Sequence, residues 1–146
     1  MFIDTSVIVA LLVREPDWED LIARIENSAV RYTCALVVLE AAMRLSSLMD
    51  VDPRLAETRI DAFLKAADVT VLSIPAEAAS IAIEAFAIYG KGRGHPAQLN
   101  LADCMVYACA KQLALPLLSK VLISQREISS LPEPRVYRVG TGVSPR

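Results

Sequence analysis

Asp4, Glu40 and Asp103 are carboxylates set among apolar neighbours. Asp4 follows Phe2-Ile3 and precedes the apolar run Val7 to Val13, Glu40 stands within Ala35 to Met43, and Asp103 lies between Leu101-Ala102 and Cys104-Met105. Burying an ionised carboxylate without a partner costs several kcal/mol, so each of the three needs compensation. A shared hard cation would supply it, because Mg²⁺ and Mn²⁺ prefer carboxylate oxygen and keep several waters. Such a site orients and deprotonates water and offsets the charge that builds on a phosphate during in-line attack. Each acid also has a purely structural reading. Asp4 can cap the following helix, Glu40 can pair with Arg44 one turn later for about 0.3–0.5 kcal/mol, and Asp103 can sit in a helix's first turn behind Asn100.

The rest of the composition narrows the chemistry. His95 is the single histidine, which excludes mechanisms that need two. Cys34, Cys104 and Cys109 are odd in number, lie in apolar segments and have no C-x-x-C spacing, so buried reduced thiols are expected rather than zinc or disulfides. The net charge of −2 gives no overall basic attraction to nucleic acid, so any binding of RNA would depend on a metal and on local basic residues. A strand-end Asp could also serve a phosphoryl-transfer hydrolase of the haloacid dehalogenase type, but those sites want a second Asp two residues later, and Ser6 stands there.

Positioning these acids requires alternating strands and helices. Phe2-Ile3 reads as a strand, Thr5-Ser6 as a cap for a helix through Val13, and Pro16 as the first turn of a helix to about Ser28. Arg31 to Cys34 is a second strand. Ala35 to Met49 is a helix with Leu36, Leu39, Met43 and Leu48 as candidate core residues. Pro53 opens a helix to about Ala67, Val69 to Ile74 is β-branched strand, and Pro75 starts a helix to Tyr89 that the glycines from 90 to 94 end. Asn100 caps a helix over Leu101 to Leu115, and Leu117-Leu118 is a short strand. Residues 132 to 146 suggest an edge strand at Arg135 to Val139 and a frayed tail. Parallel strands need crossover helices, so the expected fold is a three-layer α/β/α sandwich with a mainly parallel sheet, in one domain over residues 1–146. Ligands of such sheets gather at the carboxyl ends of strands, where Asp4 falls.

The chain is 54% hydrophobic with a mean hydropathy of +0.41, which suggests a large core together with an apolar face covered by a partner. Its apolar runs are too short to span a membrane, and the start carries no secretory leader, so the cytoplasm is expected.

Phe2-Ile3-Asp4-Thr5-Ser6-Val7-Ile8-Val9-Ala10 closely resembles the opening strand and helix of VapC-type PIN domains. Ala35 to Ala42 resembles the second acidic motif of that family, Leu99 to Cys104 with Ala108 and Ala110 the third, and Pro116 to Lys120 the strand that follows. The order and spacing of these blocks over residues 1 to 130 carry the resemblance. It implies a PIN fold, endoribonuclease activity on an RNA substrate, a divalent metal, homodimerisation and neutralisation by a cognate VapB-type antitoxin. It places Asp4, Glu40 and Asp103 at the metal, with Thr5, Ser6 and Ser119 as polar neighbours. Trp18, Leu21 and Ile25 are candidates for an antitoxin groove, although their spacing serves a core face equally well. The match breaks after Lys120, where the family commonly shows a glycine and then an Asp-Phe pair and this chain has Val121-Leu122-Ile123. Beyond the gap, Glu127 falls where these toxins often carry a further acid.

Overall fold

A computed structural model describes residues 1–120. Strand β1 (Phe2–Ile3) leads into α1 (Thr5–Val13) and α2 (Trp18–Glu26). Strand β2 (Tyr32–Cys34) feeds α3 (Ala35–Met49), followed by α4 (Pro53–Ala66) and β3 (Thr70–Leu72). Helices α5 (Ala78–Tyr89) and α6 (Leu101–Gln112) precede β4 (Leu117–Leu118). The four strands lie in the order β3-β2-β1-β4, and each pairing is parallel. The expected α/β sandwich with a parallel sheet is therefore the fold observed. The sequence expectations at Glu127, at Val121 to Ser124 and at the edge strand Arg135 to Val139 lie outside the described residues.

Register decides where the chemistry can sit. Phe2 aligns with Tyr32 on one side and with Leu117 on the other, while Tyr32, Thr33 and Cys34 align with Thr70, Val71 and Leu72. The Asp4 amide donates to the Leu118 carbonyl at 3.0 Å, so β1 and β4 stay paired up to the acid itself. Because the strands are parallel, Asp4, the Cys34-to-Ala35 junction and Ser119 all emerge at one edge of the sheet. Phe2 and Ile3 are fully buried between the helical layers, as suits a central strand covered on both faces.

Several boundaries differ from the sequence expectation. Asp4, rather than Thr5 or Ser6, caps α1: its side chain accepts the Ser6 amide while Thr5 is already helical. Helix α2 begins at Trp18, leaving Pro16 in the preceding turn, and α5 begins at Ala78, three residues beyond Pro75. Helix α6 stops at Gln112, and Ala114 then takes a left-handed conformation (φ 52°) without help from glycine. Arg14 and Asp50 close α1 and α3 in the same conformation.

The buried face of α3 is not the one built on its largest side chains. Val37, Ala41, Ala42 and Leu45 face the core, Leu36 is half-buried, and Leu39, Met43 and Leu48 are 58%, 61% and 63% exposed. Helix α3 is apolar on more than one stripe, so spacing alone offers two registers; Ala41 and Ala42 permit the closer approach of neighbouring helices, and that stripe turns inward. Helix α2 corrects a second expectation. Leu21 and Ile25 belong to the core and so do not line an open groove, while Trp18 is half-buried against it with the Arg14 guanidinium 5.5 Å from its ring centre.

Leu45→Ala is expected to cost about 2–5 kcal/mol through lost burial and a cavity, whereas exposed Leu48→Ala should stay within about 0.5 kcal/mol. Urea unfolding of both variants checks this assignment; equal losses would show that α3 faces the other way.

Candidate active site

Asp4 is only 3% exposed, yet its carboxylate has donors. Its Oδ2 accepts the Ser6 amide at 3.1 Å, the Ser6 hydroxyl at 2.5 Å and the Ser119 hydroxyl at 3.1 Å. The Ser6 hydroxyl in turn accepts the Lys120 amide at 3.0 Å. The carboxylate at the end of β1 is thus tied to the end of β4, two segments 115 residues apart in the chain. Capping and site formation are compatible here, because the same carboxylate does both.

Thr5 is buried, and its hydroxyl donates to Glu40 Oε2 at 2.8 Å, joining the start of α1 to the middle of α3. Burial pushes the Glu40 carboxyl above its ordinary range; the negative charges of Asp4 and Asp103 add to this, while the Thr5 hydroxyl and the positive charge of Arg44 oppose it. Asp103 is raised chiefly by burial and further by Asp4, against the Asn100 amide and Arg44. Asn100 and Asp103 form a reciprocal capping box at the start of α6: the Asp103 amide donates to Asn100 Oδ1 at 2.9 Å, and the Asn100 amide donates to Asp103 Oδ2 at 2.8 Å. Asp103 is therefore the capping acid that its position suggested, and it also feels the Asp4 charge.

Thr5, Ser6 and Ser119 are hydrogen-bonded to two of the acids, and the three acids act on one another electrostatically. The donor set is all oxygen and mutually repulsive, which suits a hard divalent cation. Among the described residues, however, no group of three acids, histidine or cysteines stands arranged to hold an ion, so Glu40 and Asp103 would have to draw toward Asp4 around one. Glu127 lies outside the described residues.

Two features of this edge have no clear signal in residue spacing. Lys120 reaches back to Glu15, and to Asp17 at 2.8 Å, fastening the end of β4 to the turn between α1 and α2. Cys34 and Cys109 meet through their thiols: the hydrogen bond from Cys109 brings the Cys34 thiol down to about 7, and the same contact and burial drive Cys109 upward. All three cysteines are free and buried, as expected.

Comparison with known proteins places this geometry. The family model of the PIN domain matches residues 1–120. A VapC ribonuclease of Rhizobium meliloti (strain 1021) is 37% identical over 130 residues, covering 82% of this chain and 92% of that protein. A ribonuclease VapC of Mycolicibacterium smegmatis is 40% identical over 120 residues, covering 82% of this chain and 90% of that protein. The chain belongs to the VapC-type PIN-domain family. Ribonuclease VapC30 of Mycobacterium tuberculosis is a further relative, 37% identical over 123 residues with 82% and 88% of the two chains covered. In this PIN domain the acidic edge is the carboxyl end of the parallel sheet, the place where open α/β sheets receive ligands.

The raised carboxyls have a consequence for stability. A carboxyl raised on folding binds more protons in the folded than in the unfolded chain, so its contribution is present below the ordinary carboxylate range and is lost as pH climbs through the raised value. Glu40→Gln keeps an acceptor for Thr5 and removes the charge, and should stabilise the protein in a chelating buffer at neutral pH while flattening that loss. Urea unfolding across pH tests the sign; a Glu40→Gln variant less stable than the parent at neutral pH would refute it.

Proposed function

We propose that this VapC-type PIN domain is a divalent-metal-dependent endoribonuclease and the toxin of a toxin–antitoxin pair. The observation that carries the reading is the electrostatic coupling of Asp4, Glu40 and Asp103, from three separate elements, at the carboxyl edge of a parallel sheet. The names of its relatives as ribonucleases supply the substrate class. Asp4, Glu40 and Asp103 are the proposed ligands of Mg²⁺ or Mn²⁺. When bound, such a cation activates water and offsets charge on the phosphate.

The chain's own groups divide the remaining work. Ser6 and Ser119 hold the Asp4 carboxylate in place, and Thr5 holds that of Glu40. Glu40 brings its negative charge to the site from the middle of α3. Asp103, fixed by its capping box at the N-terminus of α6, contributes negative charge from a second helix.

A second reading is a degenerate PIN domain that binds antitoxin or RNA with little cleavage, favoured by the absence of an acid in Val121-Leu122-Ile123. Asp103→Asn preserves shape and hydrogen bonding while removing charge, so it should abolish most RNA cleavage, as should a chelator. Assays of purified protein on RNA decide between the readings: chelator-insensitive cleavage, or full activity in Asp103→Asn, would overturn the metal site.

The partners proposed are a cognate VapB-type antitoxin, RNA and a second copy of the chain, with action in the cytoplasm and residues 1–146 forming one PIN domain. Among the described residues no helix is long and apolar enough to cross a membrane. Support for the dimer comes from Leu39 and Met43 on α3, Ile83 on α5 and Leu101 on α6, all more than half exposed. Met43→Glu with Leu101→Glu should convert a dimer to a monomer in light scattering; unchanged mass would place the interface elsewhere.

A further inference from the structure

Residues Leu36, Leu39, Glu40 and Met43 of α3 face Asn100, Leu101 and Ala102 across an open cleft of about 280 Å³. Arg44 lies beside this cleft rather than in its lining: it follows Glu40 by four residues and so sits on the same side of α3 one turn on. Its side chain is exposed, and its charge acts on both Glu40 and Asp103, which belong to the two helices that flank the cleft. Among the described residues, neither a hydrogen bond nor an ion pair holds the guanidinium, in contrast to Arg31, which donates to three backbone carbonyls, and Lys120, which pairs with two acids. A cation near two acids without a bond to either retains its fork of donors for a further anion.

We propose that Arg44 is an RNA-binding residue beside this cleft, taking a backbone phosphate next to the scissile one through its guanidinium. The proposal rests on the ribonuclease reading and adds a residue to it. RNA approaching three carboxylates meets repulsion, and the chain's net charge of −2 offers no general attraction. An exposed arginine one turn from Glu40 offsets that repulsion locally and fixes the strand's register. Its planar donors suit phosphate better than a lysine ammonium does, and phosphate contacts position a strand without reading its bases. Arg44 is thus a substrate-binding group, distinct from the acids proposed to act at the reacting phosphate.

The test uses the full chain and a mixed-sequence single-stranded RNA oligonucleotide. Binding is followed by fluorescence anisotropy over a series of salt concentrations in a chelating buffer, with cleavage measured separately with magnesium. Arg44→Gln should weaken binding several-fold and reduce the dependence of log affinity on log salt by about 0.7, the share of one phosphate contact on a single strand. Arg44→Lys should keep that salt dependence and recover part of the affinity. In cleavage, the Arg44→Gln loss should fall on KM more than on kcat. If the parent cleaves RNA and Arg44→Gln binds with unchanged affinity and salt slope, the assignment of Arg44 is overturned while the ribonuclease reading stands. If the parent binds RNA without cleaving it, the cleavage reading fails and the slope still decides Arg44. If the parent neither binds nor cleaves RNA, both are overturned. An Arg44→Gln variant with altered thermal unfolding would leave Arg44→Lys, which retains the charge, to decide: loss of the salt slope in that variant counts against a phosphate contact.

Discussion

Moving the Asp4 carboxyl from water to a site 3% exposed costs several kcal/mol unless other donors replace the water it loses. The surrounding structure supplies them. The Ser6 amide comes from the first turn of α1, the Ser6 hydroxyl from the same residue, and the Ser119 hydroxyl from the end of β4. These groups converge because β1 and β4 pair in parallel as far as the bond from the Asp4 amide to the Leu118 carbonyl. A one-residue slip in that register would turn Ser119 to the opposite face of the sheet and leave the carboxylate short of a donor. The short strands of this domain are therefore held partly by the acid they deliver.

Around that fixed point the other two acids are held less tightly. Glu40 is half-buried in a helix whose start is set by Cys34, and one hydroxyl ties it to the site. Asp103 is fixed through its own helix cap rather than through contact with Asp4. The result is three like charges near one another, two of them raised toward the protonated form. Protonation relieves this repulsion, and a bound cation would relieve the same repulsion. The positive charge of Arg44, one turn from Glu40, opposes that rise in both without replacing either.

The apolar excess of the chain is divided by the same architecture. One stripe of α3 packs inward through Val37, Ala41 and Leu45, and the stripe through Leu39 and Met43 faces outward beside exposed Leu101. An outward apolar stripe is costly to leave in water, and it borders the cleft that Glu40 lines. The acidic edge and the outward apolar stripe are consequently neighbours, so that a partner on one could restrict access to the other.

How much of this was legible in the sequence follows from the range of the interactions involved. The strand at Phe2-Ile3, the helices at Ala35 and Asn100, the parallel sheet and the three notable acids are governed by local propensity, capping and the cost of burying charge, and those act within a few residues. Helix ends were less legible where Arg14, Asp50 and Ala114 adopt left-handed conformations that side-chain chemistry does not announce. The inward stripe of α3 and the burial of Leu21 and Ile25 depended on which neighbours lay within packing distance, because helical spacing in an apolar helix allows more than one face to turn inward. The Ser119 bond to Asp4, the Thr5 bond to Glu40, the meeting of Cys34 with Cys109 and the action of Arg44 on Asp103 belong wholly to the tertiary structure. They join residues far apart in the chain, and only sheet register and helix packing bring such residues within bonding or electrostatic range.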